Sequence, residues 1–297
     1  KEHKEAFMAA SHDTPCEIHI YRPDSNTGWG IAVWRAMLAD VWAGRSLMWV
    51  LFWRSFVATY RQTLFGWLGT VLDPMLLVAP FMVLSFTGIF QPGEINAPYP
   101  AFALLGLTLF HLANDCLREC GSAILNNSSL VIKINFAKEV LVFARTGQIL
   151  VNFLIRLVFV ALILAGYRYC PPSFKALLFP LAVLPMFLMS MGIGLALACL
   201  SVLMRDVGKY VNMLLPFFLL ISPILYARPR IHAFARFNQF NPFSVLVNGP
   251  RDLLLYGHLY DPVPFVLMSF ASVVIFVVSW RLFRVASVHL AAQLGAK

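Results

Sequence analysis

Long apolar runs separated by short polar intervals dominate the chain. A helix needs about 20 apolar residues to cross a bilayer core, and six stretches qualify: 64–90, 99–124, 141–167, 176–204, 210–227 and 263–280. The first is interrupted only by Asp73, beside Pro74. The second turns polar late, at Asp115, Arg118 and Glu119, and the third carries Arg145 and Arg156. The fourth is uncharged, the fifth is short and contains Pro216 and Pro223, and Arg281 and Arg284 close the sixth. The pattern predicts an all-α membrane protein whose six-helix transmembrane domain covers 64–284. A polar N-terminal segment (1–30) precedes it, and a tail (285–297) follows.

Three further stretches are neither spans nor plain turns. In 31–63, Trp34, Trp42, Trp49 and Trp53 alternate with Arg35, Arg45, Arg54 and Arg61, and Tyr60 lies near the end. Aromatic rings favour the headgroup level and arginines reach past it to water. This predicts an amphipathic helix lying in the membrane interface; the alternative is a first span starting near Leu47 and broken by Arg54. The stretch "LNNSSLVIKINFAKE" (125–139) is polar, then amphipathic, then basic. On a helix Leu130, Val131, Ile134 and Ala137 share one face, and Asn126, Asn127 and Ser128 offer capping side chains. Lys133 and Lys138 are left for acidic groups or lipid phosphates. Finally, 228–262 is too long for a simple turn, and its short apolar runs predict re-entrant helices on the outer side before the last span.

Composition agrees with a membrane domain. The chain is 60 % hydrophobic, with a mean hydropathy of +0.74 and 12 % charged residues, against about 25 % in soluble domains. The net charge of +9 comes from scattered residues without a basic run, which excludes nucleic acid as a partner. Fourteen of the 23 Lys/Arg fall on the side holding 1–63, 125–140, 204–209 and 281–297. That bias predicts cytoplasmic termini, although 228–262, with Arg228, Arg230, Arg236 and Arg251, runs against it. The first 25 residues are polar, so no signal peptide is expected. Cys116 and Cys120 read as small buried thiols one helical turn apart.

Candidate chemistry is sparse. His111 and Asp115 are four apart on one helical face, with Arg118 and Glu119 behind them. They allow an acid–base pair, but no nucleophile joins them, and pairing with one another or lining a hydrated path explains them better. Arg156 requires a carboxylate, a cavity or a partner chain. Asp73 fits a helix N-terminus. Gly192 and Gly194 permit close helix approach, and Arg205 and Asp206 form a turn after the fourth span. No Walker A sequence, nucleophile elbow or metal-ligand cluster is present. No catalytic residue, metal or cofactor is therefore expected in this chain, and any energy source lies elsewhere. Aromatic rings that could line a path are Tyr99, Phe102, Phe110, Tyr226, Phe237, Phe240 and Phe243.

In order, the interfacial helix, "TYRQTLFGWLGTVLDP", "YPAFALLGLTLFHLAND", "NNSSLVIKINFAKEVL", "LMRDVGKYV", "ISPILY" and "NPFSVLVNGPRDLLLYG" resemble the membrane subunit of bacterial ABC exporters for polysaccharides of the O-antigen, capsule or teichoic-acid type. The resemblance covers about 35–285, with departures at Ser55, His111, Ile132, Asn135 and Ala137. It implies a homodimer in the inner membrane that binds two copies of a separate cytoplasmic ATPase, which holds ATP and Mg. A lipid-linked glycan then passes through the paired chains. The loop at 126–139 corresponds to the helix seated on the ATPase, which assigns coupling to Asn126, Asn127, Ser128, Leu130, Lys133, Phe136, Lys138 and Glu139. The interfacial helix maps onto 42–62 and the outer gate onto 223–256. Path and gate candidates are Tyr99, Phe110, His111, Asp115, Arg118, Pro223, Tyr226, Phe237, Phe240, Asn241 and Arg251. The rival readings are a drug or small-lipid exporter of the same fold, a membrane enzyme acting on lipid-linked sugars, and a secondary transporter.

Overall fold

A computed structural model describes residues 30–61, 67–89, 93, 95, 97–170, 173–204, 206–226 and 237–295. The polar N-terminal segment, Arg205 and the stretch 227–236 lie outside the described residues, as do the side chains of Tyr60 and Arg61. The described residues contain no strand and include these α-helices: α1 Ile31–Ala43, α2 Arg45–Arg61, α3 Trp67–Phe86, α4 Tyr99–Asp115, α5 Ser128–Lys133, α6 Glu139–Gly166, α7 Phe179–Leu203, α8 Val207–Ile221, α9 Pro242–Tyr256 and α10 Pro262–Gly295. Five segments are long and apolar enough to cross a membrane: Gly69–Phe86, Tyr99–Cys120, Glu139–Gly166, Phe174–Leu203 and Pro262–Ser287.

The expected fifth span, 210–227, is instead a short helix, so five spans stand where six were expected. α8 has 15 residues, about 22 Å at 1.5 Å per residue, against a core of about 30 Å. Its end is set locally: Ser222 is extended at ψ 138, and Pro223, lacking an N–H, cannot continue the ladder. Asp73 is also placed differently. It lies inside α3 and is exposed, not at a helix N-terminus. The tail begins as a direct continuation of α10, which is helical to Gly295.

The expected single interfacial helix is two. Gly44 separates α1 from α2 because a side chain there would collide with Val140 of α6. Beyond it, Phe52 of α2 packs on Gly147 of α6. α2 therefore runs alongside the first turns of α6, with Trp49 and Trp53 outward and stacked at 6.2 Å. The expected coupling helix over 126–139 is shorter than predicted. A 3₁₀ turn at Leu125–Asn127 leads into the six-residue α5, and Ile134 is already extended. Its N-cap, Asn127, makes no capping hydrogen bond.

The bundle is centred on α4, which is buried from Ala101 to Phe110 and packs against α3, α6, α7 and α9. Lipid tails are as apolar as leucine, so helices in a bilayer associate by close packing around small residues. α7 does this on two sides. A Cβ at Gly192 would lie 2.8 Å from the α10 backbone at Phe276, and one at Gly194 would lie 2.8 Å from the Cys116 carbonyl oxygen. There α4 widens into a π-helical turn, Cys116–Cys120.

At the end of the bundle opposite α5, α8 and α9 are joined through Arg251. This guanidinium is 1 % exposed and donates to the Ile224 carbonyl at 2.9 Å and the Pro223 carbonyl at 3.1 Å. It also bonds Asn248 Oδ1 and lies 3.8 Å over the Phe102 ring of α4. Gly106 makes room for the turn, since a Cβ there would meet the Ile224 carbonyl at 2.8 Å. Asn241 caps α9 by accepting from the Phe243 N–H, and its amide donates to Ser222 Oγ at 3.1 Å. Non-helical backbone survives at membrane depth only when its polar groups are satisfied within protein, and Arg251 supplies that here. Replacing Arg251 with Met strands two buried carbonyls. It is expected to destabilise the protein by about 3 kcal/mol in denaturant unfolding in micelles. Arg251→Lys should restore only part, because an ammonium lacks the forked geometry. Parental stability in both variants would contradict the role.

Candidate functional site

The polar residues of the bundle gather at three levels. At the α5 end, Arg284 on α10 donates from Nη1 to Glu139 Oε1 at 3.1 Å and from Nη2 to Asp40 of α1. Glu139 is fully buried and opens α6, where the helix dipole favours a negative charge. Directly beneath, Trp280 of α10 meets Trp34 of α1 at 5.9 Å and Phe143 of α6 at 5.4 Å, both edge-on. One ion triad and one aromatic cluster thus join α1, α6 and α10. Arg54 of α2 adds a fourth element, donating to Asn127 Oδ1 at 3.0 Å, while the Asn127 amide donates to the Ala123 carbonyl at 2.8 Å.

The coupling candidates divide between two sides of this end. Asn127, Lys138 and Glu139 are buried, and Leu130 and Phe136 pack on the core. Burial draws the Lys138 ammonium pKa downward, which counts against its meeting acidic groups outside the bundle. Val131 and Ala137 face inward as expected, but Ile134 does not. α5 ends before it, so the helical phase that placed Ile134 beside Val131 is lost. Asn126, Lys133 and the apolar pair Ile132 (53 % exposed) and Ile134 (49 %) face outward, and Ser128 is half-buried. Nearby, exposed Asp206 pairs with Lys209 at 2.8 Å, and that bond holds its carboxyl below the usual range. On the outward face of α1–α2, Arg45 lies 5.2 Å over the Trp42 ring.

The middle level is an ion pair within the spans. Arg156 of α6 donates to Asp115 Oδ2 at 2.9 Å and to the Thr70 carbonyl of α3 at 3.1 Å. Asp115 therefore pairs across helices rather than with His111 or Arg118, and Arg118 is exposed. An acid–base pair of His111 with Asp115 is not formed. Glu119 faces Arg145 at 3.6 Å. One turn along α4, His111 Nε2 and Asn114 Oδ1 are buried with no hydrogen-bond partner among the described residues.

At the outer level, Phe102 and Phe110 are core residues, and Phe243 packs on Phe218 at 5.5 Å. Pro223, Asn241 and Arg251 belong to the α8–α9 junction. Phe237 and Phe240 are exposed, while Tyr99 and Tyr226 are partly so. Asp40 was not singled out by sequence reasoning, and Arg284 was read only as closing the last span. Their only signal was a charge at each margin of an apolar run. No group of three His, Cys, Asp or Glu among the described residues is placed to hold a metal ion.

Removing one member of a buried ion pair strands the other. Arg284→Met is expected to cost about 3–5 kcal/mol in denaturant unfolding, and Glu139→Gln less. The double variant should be less damaged than the sum of the two. Strict additivity would mean that the two residues do not interact.

Comparison with known proteins places these features. The family described as "ABC-2 type transporter" matches residues 46–255, well over half of the chain, from α2 through α9. A curated relative, the O-antigen export system permease protein RfbA of Myxococcus xanthus, is 26 % identical over 242 residues, covering 80 % of this chain and 92 % of that protein. The apolar spans and the family match agree with one another. This chain belongs to the ABC-2 type transporter family: it is a multi-pass membrane permease without an ATP-binding site of its own, of the kind that pairs with a separate ATPase.

Proposed function

We propose that the chain is the membrane-spanning subunit of an ATP-driven exporter that moves a lipid-linked polysaccharide outwards. Two copies form the channel, and two copies of a cytoplasmic ATPase, which bind ATP and Mg, drive it. The observation that carries this reading is the outward patch of α5. Ile132 and Ile134 are half exposed beside Lys133, at the end of the bundle where the Lys/Arg bias places the cytoplasm of a bacterial inner membrane. Apolar side chains exposed there are not covered by the core, and a protein partner is their natural cover. Behind the patch, Asn127, Lys138 and Glu139 are buried, and the Arg284 triad gives the firm backing that a lever requires.

A second copy fits the sparsely covered helices α3 and α8. Asp73 is exposed on α3, and an uncompensated carboxylate facing lipid is costly. A hydrated path between two copies, lined by Asp73, His111 and Asn114, removes that cost. On this reading α8, its terminal turn and α9 are the re-entrant outer gate, with Tyr99, Tyr226, Phe237 and Phe240 offering rings to sugar faces. The polysaccharide substrate is supported by the export function named for the Myxococcus xanthus relative and by those aromatic residues.

The test uses proteoliposomes holding the permease and its ATPase. An undecaprenyl-linked glycan is expected to stimulate ATP hydrolysis, whereas small amphiphiles are not. Ile132→Asp and Lys133→Glu should lower the stimulated rate by roughly tenfold, equivalent to 1.4 kcal/mol, with dimer formation unchanged. Equal loss of dimer and stimulation would make the patch structural. Stimulation by amphiphiles alone would exclude a polymer substrate.

A further inference from the structure

The outer surface of α6 carries Leu154, Val158 and Leu162, all more than half exposed, as a lipid-facing helix should. One strip differs. Ala161 and Ala165, with their short side chains, line a groove of about 540 Å³ between α6, the start of α7 and α9. Its floor is apolar: Val160 and Leu164 from α6, Phe179 from α7 and Leu254 from α9. Its end, at the α6–α7 connection, is closed by Arg168 and Tyr169. α6 is 28 residues long, about 42 Å, so this rim lies at the far end from Glu139 and the Arg284 triad.

The rim is built with care. Tyr169 N–H donates to the Leu164 carbonyl and Arg168 N–H to the Ala165 carbonyl, both at 3.0 Å, the two-bond closure that usually places glycine in the left-handed position. Here Arg168 occupies it, at φ 52, a conformation unfavourable for a side-chain-bearing residue. The Tyr169 hydroxyl donates to the Leu255 carbonyl at 2.6 Å, which pins the rim to α9. Arg168 is exposed and forms no ion pair or hydrogen bond through its guanidinium with any described residue. A fixed apolar slot thus ends at one unpaired cation two residues beyond the apolar span Glu139–Gly166, where a helix leaving a bilayer core would reach the headgroups.

We propose that this groove holds one acyl chain of an anionic phospholipid, with the lipid phosphodiester bound by Arg168. The apolar floor excludes water and admits methylene groups, while the guanidinium matches a phosphate through paired N–H donors. A basic residue at the headgroup level attracts anionic over zwitterionic lipid. A single cation suits one phosphodiester charge better than the pyrophosphate of a polyprenyl carrier. Ala161 and Ala165 serve shape, Arg168 serves charge, and neither set belongs to the ATPase-facing patch or to the ion pair of the spans. The inference stands whether or not the proposed transport reading holds.

The full-length protein, delipidated in detergent, can be titrated with phosphatidylglycerol and phosphatidylcholine of matched chains, with bound lipids counted by native mass spectrometry. One phosphatidylglycerol per chain is expected to bind about tenfold more tightly than phosphatidylcholine. Arg168→Gln should abolish that preference, and Arg168→Lys should keep most of it. Ala161→Phe combined with Ala165→Phe should remove the site for both lipids while Arg168 remains. A preference surviving Arg168→Gln, a bound lipid surviving the filled groove, or displacement of phosphatidylglycerol by an equimolar polyprenyl phosphate would each overturn the proposal.

Discussion

Arg284 is the residue on which the α5 end of the bundle depends. It holds Glu139, 145 positions away in sequence, and Asp40, 244 positions away, so the first helix, the start of α6 and the last span share one guanidinium. Glu139 has no exposure at all, and a carboxylate so buried persists only if paired. Once that pair exists, the segment from α5 into α6 is anchored at its exit. Arg54 anchors the same segment at its start through Asn127. Between these two anchors stands the outward patch of α5, with Val131 and Ala137 seated in the core behind it.

The same device recurs at the other two levels. Arg156 joins α6 to Asp115 of α4 and to the α3 backbone. Arg251 joins α9 to the terminal carbonyls of α8 and to a ring of α4. Each arginine lies on a different helix and satisfies groups that lipid cannot. The cost of a charge in a low-dielectric site is large unless it is paired and hydrogen-bonded, and that cost makes each arrangement specific. Van der Waals packing at Gly192 and Gly194 then sets how closely the helices approach, and the arginines set which ends meet. A permease that moves must change some of these contacts, and the close-packed α7–α10 pair is the part least able to yield.

Much of this was legible in the sequence, for identifiable reasons. Five spans follow from apolar length alone, and Pro216 and Pro223 already marked the fifth stretch, 210–227, as weak. Arg156 announced that it needed a partner. The sequence left open that the partner is Asp115, because pairing across helices depends on which faces meet. Gly44 was not readable as a break, since tryptophans and arginines follow the same rhythm on both sides of it. Its role comes from Val140, nearly a hundred residues on. Ile134 was misassigned because helical phase was carried past the end of α5, and six residues are too few to establish a phase. The pairing of Asp40 with Arg284 was missed because each looks like an ordinary charge at a membrane margin. Membership of the ABC-2 type transporter family was legible from the order of the segments, while the groove of Ala161 and Ala165 was hidden in a run of ordinary span residues.

The claim that the outward face of α5 meets an ATPase is open to direct measurement. A photo-crosslinking residue placed at Ile132, in the assembled complex in native membranes, is expected to capture the ATP-binding subunit. The same residue at Val131, which is 4 % exposed, should not capture it. Capture from neither position, or from Val131 alone, would contradict the docking surface and with it the proposed route by which ATP drives the channel.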